Sequence, residues 1–209
     1  MSQFVHPFAA IVAGSSGTGK TVLTRSLLAE YRTVTTITKA RLKVWWCHSQ
    51  DQVLHTIRIP GVDITYFSDF VSDFTDEKPD IVVYDDMMTE IAGDKALTDV
   101  FIKKRHHQQV SVILIMQNLF HQTKEMRTIS LNTNYFILMK NPRDRLQVMV
   151  LGRQLFPNDS QFFARAVGEA FTEPFSHLII DMTSACPDGM RLRQRVKQGG
   201  IGGWYVWRK

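Results

Sequence analysis

The sequence predicts an α/β fold in which a mostly parallel β-sheet is covered by helices on both faces. Short apolar runs alternate along the chain with longer segments of helical periodicity, a pattern typical of parallel strands joined by helical crossovers. A glycine-rich loop stands directly between the first apolar run and the first helical pattern. Polar residues end several of the apolar runs, and in such sheets ligands bind beyond the carboxyl ends of the strands.

The expected elements follow one another in a regular order. The predicted strands are residues 8–13, 42–47, 62–67, 81–84, 110–116, 134–139, 177–181 and 190–196. The predicted helices are residues 21–31, 91–107, 146–156 and 160–171, and a short helix capped by Ser68 and reaching Phe74. Residues 1–185 are expected to form one core, and the basic segment 186–209, which contains glycine and tryptophan, to belong to the same domain.

Composition excludes several classes of protein. A chain of 209 residues with 44% hydrophobic residues is long enough to bury its own core without disulfides. The longest apolar stretch, residues 110–116, is too short to span a bilayer. The amino terminus does not have the pattern of a secretory signal, and the two cysteines form neither a metal-binding nor a disulfide pattern. We therefore expect a soluble, intracellular protein with no membrane partner.

The loop after the first strand carries the pattern of a phosphate-binding site. Residues 14–21 read Gly-Ser-Ser-Gly-Thr-Gly-Lys-Thr and fit G-x-x-x-x-G-K-[ST] at every position. Glycines let backbone N–H groups surround phosphate oxygens, and the positive end of the following helix points at the same phosphates. Lys20 is expected to contact the β- and γ-phosphates of ATP, and Thr21 to ligate Mg²⁺. The residues expected to bind the nucleotide are Gly14, Ser15, Ser16, Gly17, Thr18, Gly19, Lys20 and Thr21.

Three polar residues at strand ends predict hydrolysis. Asp85 ends an apolar strand, so it is expected to hold Mg²⁺ together with Thr21. Asp86 is a second carboxylate beside it, and it is expected to accept a proton from the attacking water. Gln117 ends the strand of residues 110–116, where its amide could orient that water. The alternatives are that Asp86 is a surface-turn acid and that Gln117 only bonds a neighbouring loop.

A basic segment precedes that strand and offers an arginine. An arginine supplied by a neighbouring subunit stabilises the charge of a phosphoryl-transfer transition state. Arg105 is the first candidate for this role, and Arg143, Arg145 and Arg153 are its rivals. A basic, solvated helix end is the alternative for each of them.

Two other functions compete with ATP hydrolysis. A nucleoside or nucleotide kinase would also use the phosphate-binding loop, but the paired acids and Gln117 favour activation of water instead. A regulatory module that binds ATP and turns it over slowly is compatible with the same motifs, because catalytic geometry decides the rate.

The motifs together resemble those of one family. Residues 13–21, 81–86, 105–118 and 141–154 are similar in sequence and order to the viral genome-packaging ATPases of the FtsK/HerA superfamily found in poxviruses, virophages and Polinton-like elements. The resemblance implies the additional-strand, RecA/FtsK-like class of fold. It also implies a homo-oligomeric ring, expected to be a hexamer, that moves double-stranded DNA into a capsid at its portal vertex inside an infected host cell. The superfamily often has Glu where this chain has Asp86.

The carboxyl-terminal segment predicts where that DNA binds. Between residues 186 and 209 six basic residues stand against one acidic residue, so this segment carries a formal charge equal to the +5 of the whole chain. Such a segment indicates a polyanionic partner. Alternation along a strand would place its basic side chains on one face, where the predicted DNA contacts are Arg191, Arg193, Arg195 and Lys197, with Lys103 and Lys104 as helpers. The alternatives are a solvated strand face and packing of this segment on a neighbouring subunit.

Overall fold

The structure is a computed structural model. It describes residues 3–49, 58–75, 77–87, 95–118, 123–142, 145–198 and 201–208, with the backbone alone at 197, 198 and 201. The predicted helix start at residues 91–94 lies outside the described residues.

Eight of the described strands match the predicted positions closely, and the last one, at residues 201–206, was not predicted. The described strands are β1 (Ala9–Ala13), β2 (Leu42–His48), β3 (Val62–Phe67), β4 (Ile81–Asp85), β5 (Ser111–Met116), β6 (Tyr135–Met139), β7 (His177–Asp181), β8 (Leu192–Gln198) and β9 (Ile201–Val206). The predicted strand at 190–196 begins later than expected, because Asp188–Met190 forms a single turn of 3₁₀-helix.

Four of the described helices are near their predicted positions, and two, at residues 31–34 and 124–131, were not predicted. The described helices are α1 (Lys20–Ala29), α2 (Tyr31–Val34), α3 (the continuous turns Lys95–Asp99, Val100–Lys104 and Arg105–Gln108, of which the middle one is π-helical), α4 (Lys124–Leu131), α5 (Arg145–Leu155) and α6 (Ser160–Ala170). No helix in the described part of the chain is both long enough and apolar enough to cross a membrane.

The described strands form one nine-stranded sheet in the order β3-β2-β4-β5-β1-β6-β7-β8-β9. The first six strands of this order are parallel, and β7, β8 and β9 each run antiparallel to the strand before them. Strand β5 separates β1 from β4, which is the arrangement of the additional-strand class. The carboxyl-terminal strands β8 and β9 continue the same sheet.

Helices cover both faces of the sheet, as predicted. The side chains of β1 alternate between the faces, so Ile11 lies in one apolar cluster and Val12 in the other. The Val12 cluster is closed by α1 and α2, and the Ile11 cluster by α3 to α6. This two-sided burial explains why the parallel strands read as continuous apolar runs.

The predicted helix between Ser68 and Phe74 is wrong, because these residues have no regular structure. Their polar groups are bonded to other parts of the chain: Tyr84 donates its hydroxyl to the carbonyl of Val71 (2.7 Å), and Lys104 donates to the carbonyl of Ser72 (2.6 Å). The ring of Phe74 packs on Trp45. Tertiary contacts therefore replace the helical hydrogen bonds that local sequence favoured.

Candidate nucleotide-binding and hydrolysis site

The glycine-rich loop leaves β1 and enters α1 at the carboxyl edge of the parallel strands. Gly14 lies so close to β6 that a Cβ atom on it would be 2.7 Å from the Cβ of Met139. Gly19 precedes the first helical residue with φ of 90°, a conformation that favours glycine. The sequence therefore folds here into a tight turn that leads directly into α1.

Lys20 folds back over this loop. Its ammonium group donates hydrogen bonds to the carbonyls of Gly14 (2.7 Å) and Ser15 (3.0 Å). Burial lowers the pKa of Lys20, and the nearby carboxylates Asp86 and Asp85 oppose that shift. The ammonium is thus held at the loop, where phosphates of a bound nucleotide would replace the carbonyl partners.

Thr21 and Asp85 meet as the sequence predicted. The hydroxyl of Thr21 donates to the carboxylate of Asp85 with an oxygen–oxygen distance of 3.1 Å. Neighbouring ligands of an octahedral Mg²⁺, each about 2.1 Å from the ion, are roughly 3.0 Å apart, so the pair fits a shared cation. Burial raises the pKa of Asp85, the Thr21 hydrogen bond opposes the shift, and Asp86 adds to it. A bound cation would favour the charged carboxylate.

Asp86 and Gln117 form the second pair. The amide of Gln117 donates to the carboxylate of Asp86 at 2.7 Å, which joins the ends of β4 and β5. Asp86 has φ of 56°, which is uncommon for a residue other than glycine and is a feature of functional sites. Its N–H donates to the carbonyl of Ile115 (3.1 Å) and holds this conformation. The carboxylate is therefore fixed next to the Thr21–Asp85 pair and remains partly open to solvent.

Ser49 is a site residue that the sequence reasoning missed. It follows β2, which lies beside β4, and its hydroxyl donates to the carbonyl of Asp86 at 3.1 Å. This bond fixes the strained backbone of Asp86 from a third strand. The signal was a polar residue directly after an apolar strand, the same signal that identified Gln117.

The structure corrects the prediction for Arg105. This arginine is 4% exposed and donates to the side chain of Asn134, which also accepts from the backbone N–H of Ala9. Asn134 precedes β6, so Arg105 lies at the amino edge of the sheet, opposite the phosphate-binding loop. A buried guanidinium in this bond is not available to a neighbouring subunit. Among its rivals Arg145 and Arg153 are exposed, and Arg143 lies outside the described residues.

The structure also corrects the predicted DNA contacts of the carboxyl-terminal segment. Arg193 is 2% exposed and forms an ion pair with Asp181. Arg195 pairs with Glu30 at 2.6 Å, and both guanidiniums lie over the ring of Trp204. Both guanidinium groups are therefore paired with carboxylates of the same chain and are not exposed for contact with phosphates.

The other members of the predicted DNA surface are only partly described. Arg191 pairs with Asp188 (2.9 Å) and donates to the carbonyls of Asp181 and Thr183. The side chain of Lys197 lies outside the described residues. The helper Lys104 donates to Ser72, and Lys103 pairs with Asp99 at 3.1 Å. The described side chains of Arg191, Lys103 and Lys104 therefore bond to groups of the same chain.

Fold and loop together define the class: this chain has the fold of a P-loop NTPase of the additional-strand type. No protein-family model and no curated protein sequence matches the chain. Solved structures do match it, at 12–14% sequence identity for those described below.

The chain is similar over 99% of its length to the flagellar accessory protein FlaH from Methanocaldococcus jannaschii, with a TM-score of 0.55, 14% identity and 92% of that chain covered. It is also similar to the genome packaging NTPase B204 from Sulfolobus turreted icosahedral virus 2. The B204 structure in complex with sulfate gives a TM-score of 0.51 and 13% identity, covering 86% of this chain and 93% of that one. The structure of B204 in complex with ATP-gammaS gives 0.50 and 12%, covering 86% and 95%.

A third similar structure is the cytoplasmic domain of the Type VII secretion ATPase EccC from Thermomonospora curvata. It gives a TM-score of 0.51 and 13% identity, and the match covers 84% of this chain and 24% of that chain. At these identities the comparisons establish a shared fold. They confirm the predicted fold class, and the viral packaging ATPase among them agrees with the resemblance noted in the sequence motifs.

Proposed function

We propose that this chain is an ATPase that hydrolyses ATP in an oligomeric ring and uses the energy to move double-stranded DNA into a viral capsid. The observation that carries the hydrolytic part is the meeting of two side-chain pairs at one sheet edge. Thr21 bonds Asp85 at 3.1 Å, and Gln117 bonds Asp86 at 2.7 Å, directly beside the phosphate-binding loop.

The binding step uses the loop and Lys20. Backbone N–H groups of the loop and the start of α1 surround the phosphates, because these groups have no helical partner. The ammonium of Lys20 exchanges its carbonyl partners for oxygens of the β- and γ-phosphates. Its positive charge then neutralises the charge that builds up as the bond between them breaks.

Mg²⁺ would be held by Thr21 and Asp85, and it would supply neutralisation of the phosphate charge. The desolvated Asp85 is suited to this task because a nearby cation restores its charged form. Asp86 is left free of the metal to serve as a base.

The chemical step is an attack of water on the γ-phosphorus. Asp86 accepts one proton of that water, while the bond from the γ-phosphorus to the bridging oxygen breaks and ADP leaves with the electron pair. Gln117 holds the carboxylate of Asp86 in place through its amide N–H. Ser49 restrains the backbone of the same residue, so the base is positioned before the nucleotide arrives.

The coupling to DNA rests on less specific features. The sequence resembles packaging ATPases, the fold is similar to B204, and the chain carries a formal charge of +5, which favours a polyanionic partner. The ring is inferred from the same resemblance. It is also inferred because the reaction needs an arginine, and the hydrogen-bonded groups of the described site do not include one, so a neighbouring subunit would supply it.

The test is ATP hydrolysis by protein of measured oligomeric state, with and without double-stranded DNA. Wild type should hydrolyse ATP faster when DNA is present. Asp86→Asn should still bind ATP but lose about 10²- to 10⁴-fold in rate, the usual contribution of a general base. Lys20→Ala should lose binding or turnover.

Three further results would change this assignment. Phosphate transfer to a nucleoside in an acceptor screen would replace hydrolysis by a kinase reaction. Near-normal hydrolysis by Asp86→Asn would make this residue a structural acid. A DNA-independent rate in intact rings would remove the coupling to DNA and leave the ATPase.

A further inference from the structure

Phe175 has a large apolar side chain that is exposed to solvent beside the phosphate-binding loop. It belongs to the turn between α6 and β7, and it is 68% exposed. A Cβ atom on Gly19 would lie 3.3 Å from Cδ1 of its ring. The ring therefore borders the loop at the residue directly before Lys20.

The turn that carries Phe175 is held firmly in this position. Phe175 has φ of 58°, an outlier for a bulky residue. The turn is closed by the hydroxyl of Ser176, which donates to the carbonyl of Glu173 (2.7 Å). Lys140, directly after β6, bonds it twice: through its N–H to the carbonyl of Ser176 and through its ammonium to that of Thr172, both at 2.8 Å. These bonds fix the turn that carries the ring, and the ring itself is largely exposed to solvent.

The strand order shows which part of a nucleotide would reach this ring. The hydrolytic residues Asp86 and Gln117 follow β4 and β5, on one side of β1. The γ-phosphate must point toward them, so the nucleoside extends to the other side, toward β6 and β7. The turn of Phe175 lies there, since His177 at the start of β7 pairs with Met139 at the end of β6.

A second exposed apolar side chain follows the loop. Val22, in the first turn of α1, is 67% exposed and stands three residues after Gly19.

We propose that Phe175 is the platform on which the base of the nucleotide stacks. The inference rests on the proposed function, because it assigns the nucleoside end of the same site. An aromatic ring stacks on the π-face of any base, so Phe175 would strengthen binding of both ATP and GTP. The stacking contributes affinity, and the phosphate-binding loop contributes the triphosphate contacts.

The expected effect follows from measured stacking energies. Removing one base–aromatic stack weakens binding by roughly 5- to 150-fold, which corresponds to about 1–3 kcal/mol. Inorganic tripolyphosphate has no base, so its binding should not change. This difference separates loss of stacking from damage to the loop.

The experiment measures dissociation constants by isothermal titration calorimetry with Mg²⁺ present, using ATP and tripolyphosphate as ligands. Phe175→Leu keeps an apolar side chain with a Cβ but removes the ring, and Phe175→Trp keeps an aromatic face. Tyr205→Leu is the matched control, since Tyr205 is a 49% exposed aromatic on β9, far along the sheet from the loop. Fluorescence of 2-aminopurine riboside triphosphate adds a direct readout, because stacking on an aromatic ring quenches it.

Phe175→Leu should weaken ATP within the stated range, leave tripolyphosphate unchanged and lose the quenching, while Phe175→Trp and Tyr205→Leu behave as wild type. Equal ATP affinity in Phe175→Leu and wild type would overturn the proposal and leave the ATPase assignment intact. Equal weakening of ATP and tripolyphosphate would make Phe175 a support of the loop. A Phe175→Leu protein that changes only its oligomeric state would assign the ring to subunit contact. Wild-type protein that binds neither ligand would overturn the proposed function itself.

Discussion

Two glycines on adjacent helices should respond in opposite directions to the same substitution. Gly152 lies in α5, and a Cβ atom there would be 2.1 Å from Cδ1 and 2.3 Å from Cε1 of Phe163. The ring of Phe163 is fully buried and stacks on Phe156 with a centroid distance of 5.5 Å. It therefore cannot move aside without displacing its neighbours. Gly168 lies in α6 and has open space around its Cβ position.

The magnitudes follow from these distances. Alanine gains about 1 kcal/mol over glycine within a helix at either position. Overpacking a core typically costs about 1–3 kcal/mol, and a contact this short places Gly152→Ala near the top of that range. The net expectation is a loss of about 2 kcal/mol for Gly152→Ala, and a gain of up to about 1 kcal/mol for Gly168→Ala.

Thermal unfolding measures both effects. In a domain of this size 1 kcal/mol shifts Tm by about 2–4 °C, so Gly152→Ala should lower Tm by about 4–8 °C and Gly168→Ala should raise it by about 2–4 °C. Urea unfolding provides the free energies independently. An increase in Tm for both variants would refute the close packing of α5 on α6 described here.

Two more predictions concern acid stability and the catalytic arginine. Burial lowers the pKa of His177 from 6.5 to about 4 and leaves its Nε2 accepting from the N–H of Arg195. The stability that is present above pH 6.5 is then lost as the pH falls toward 4, by about 2 kcal/mol between pH 7.5 and 5. Urea unfolding of wild type should show this loss relative to His177→Gln. A difference in unfolding free energy between the two proteins that does not change with pH would contradict the prediction. Arg145→Ala or Arg153→Ala subunits should regain turnover when mixed with Lys20→Ala subunits, if the exposed arginine acts on a neighbour's nucleotide. Absence of rescue in verified mixed rings for both variants would exclude both arginines.

In the basic carboxyl-terminal segment, the charge composition suggested a DNA-binding surface that the positions of the side chains do not support. Its charge is evident from sequence, but the partner of each charge is not. Arg195 pairs with Glu30, which is 165 residues away, and Arg193 pairs with Asp181 on the next strand. A buried guanidinium needs a nearby carboxylate, because an unpaired charge in the interior is unfavourable. The period of two placed Arg193 and Arg195 on one face, but that face is covered by other parts of the same chain.

The sequence alone determined the local features of this protein. The loop at residues 14–21, the apolar strands and the polar residues that end them all depend on neighbours in the chain. Backbone conformation and side-chain periodicity depend on a few neighbouring residues. A phosphate-binding loop followed by a helix can therefore be recognised from the sequence without a structure. The same reasoning gave Asp85, Asp86 and Gln117 as candidate residues of one site.

Which of these features meet depends on how the chain packs in three dimensions. The insertion of β5 between β1 and β4 places Gln117 against Asp86, and the antiparallel return of β7 places the turn of Phe175 beside Gly19. The same folding buries Arg105 at the opposite edge of the sheet. Local sequence cannot show these outcomes, because strand order and burial depend on packing between segments that are distant in the chain. Each such contact is stable only when the surrounding core has formed.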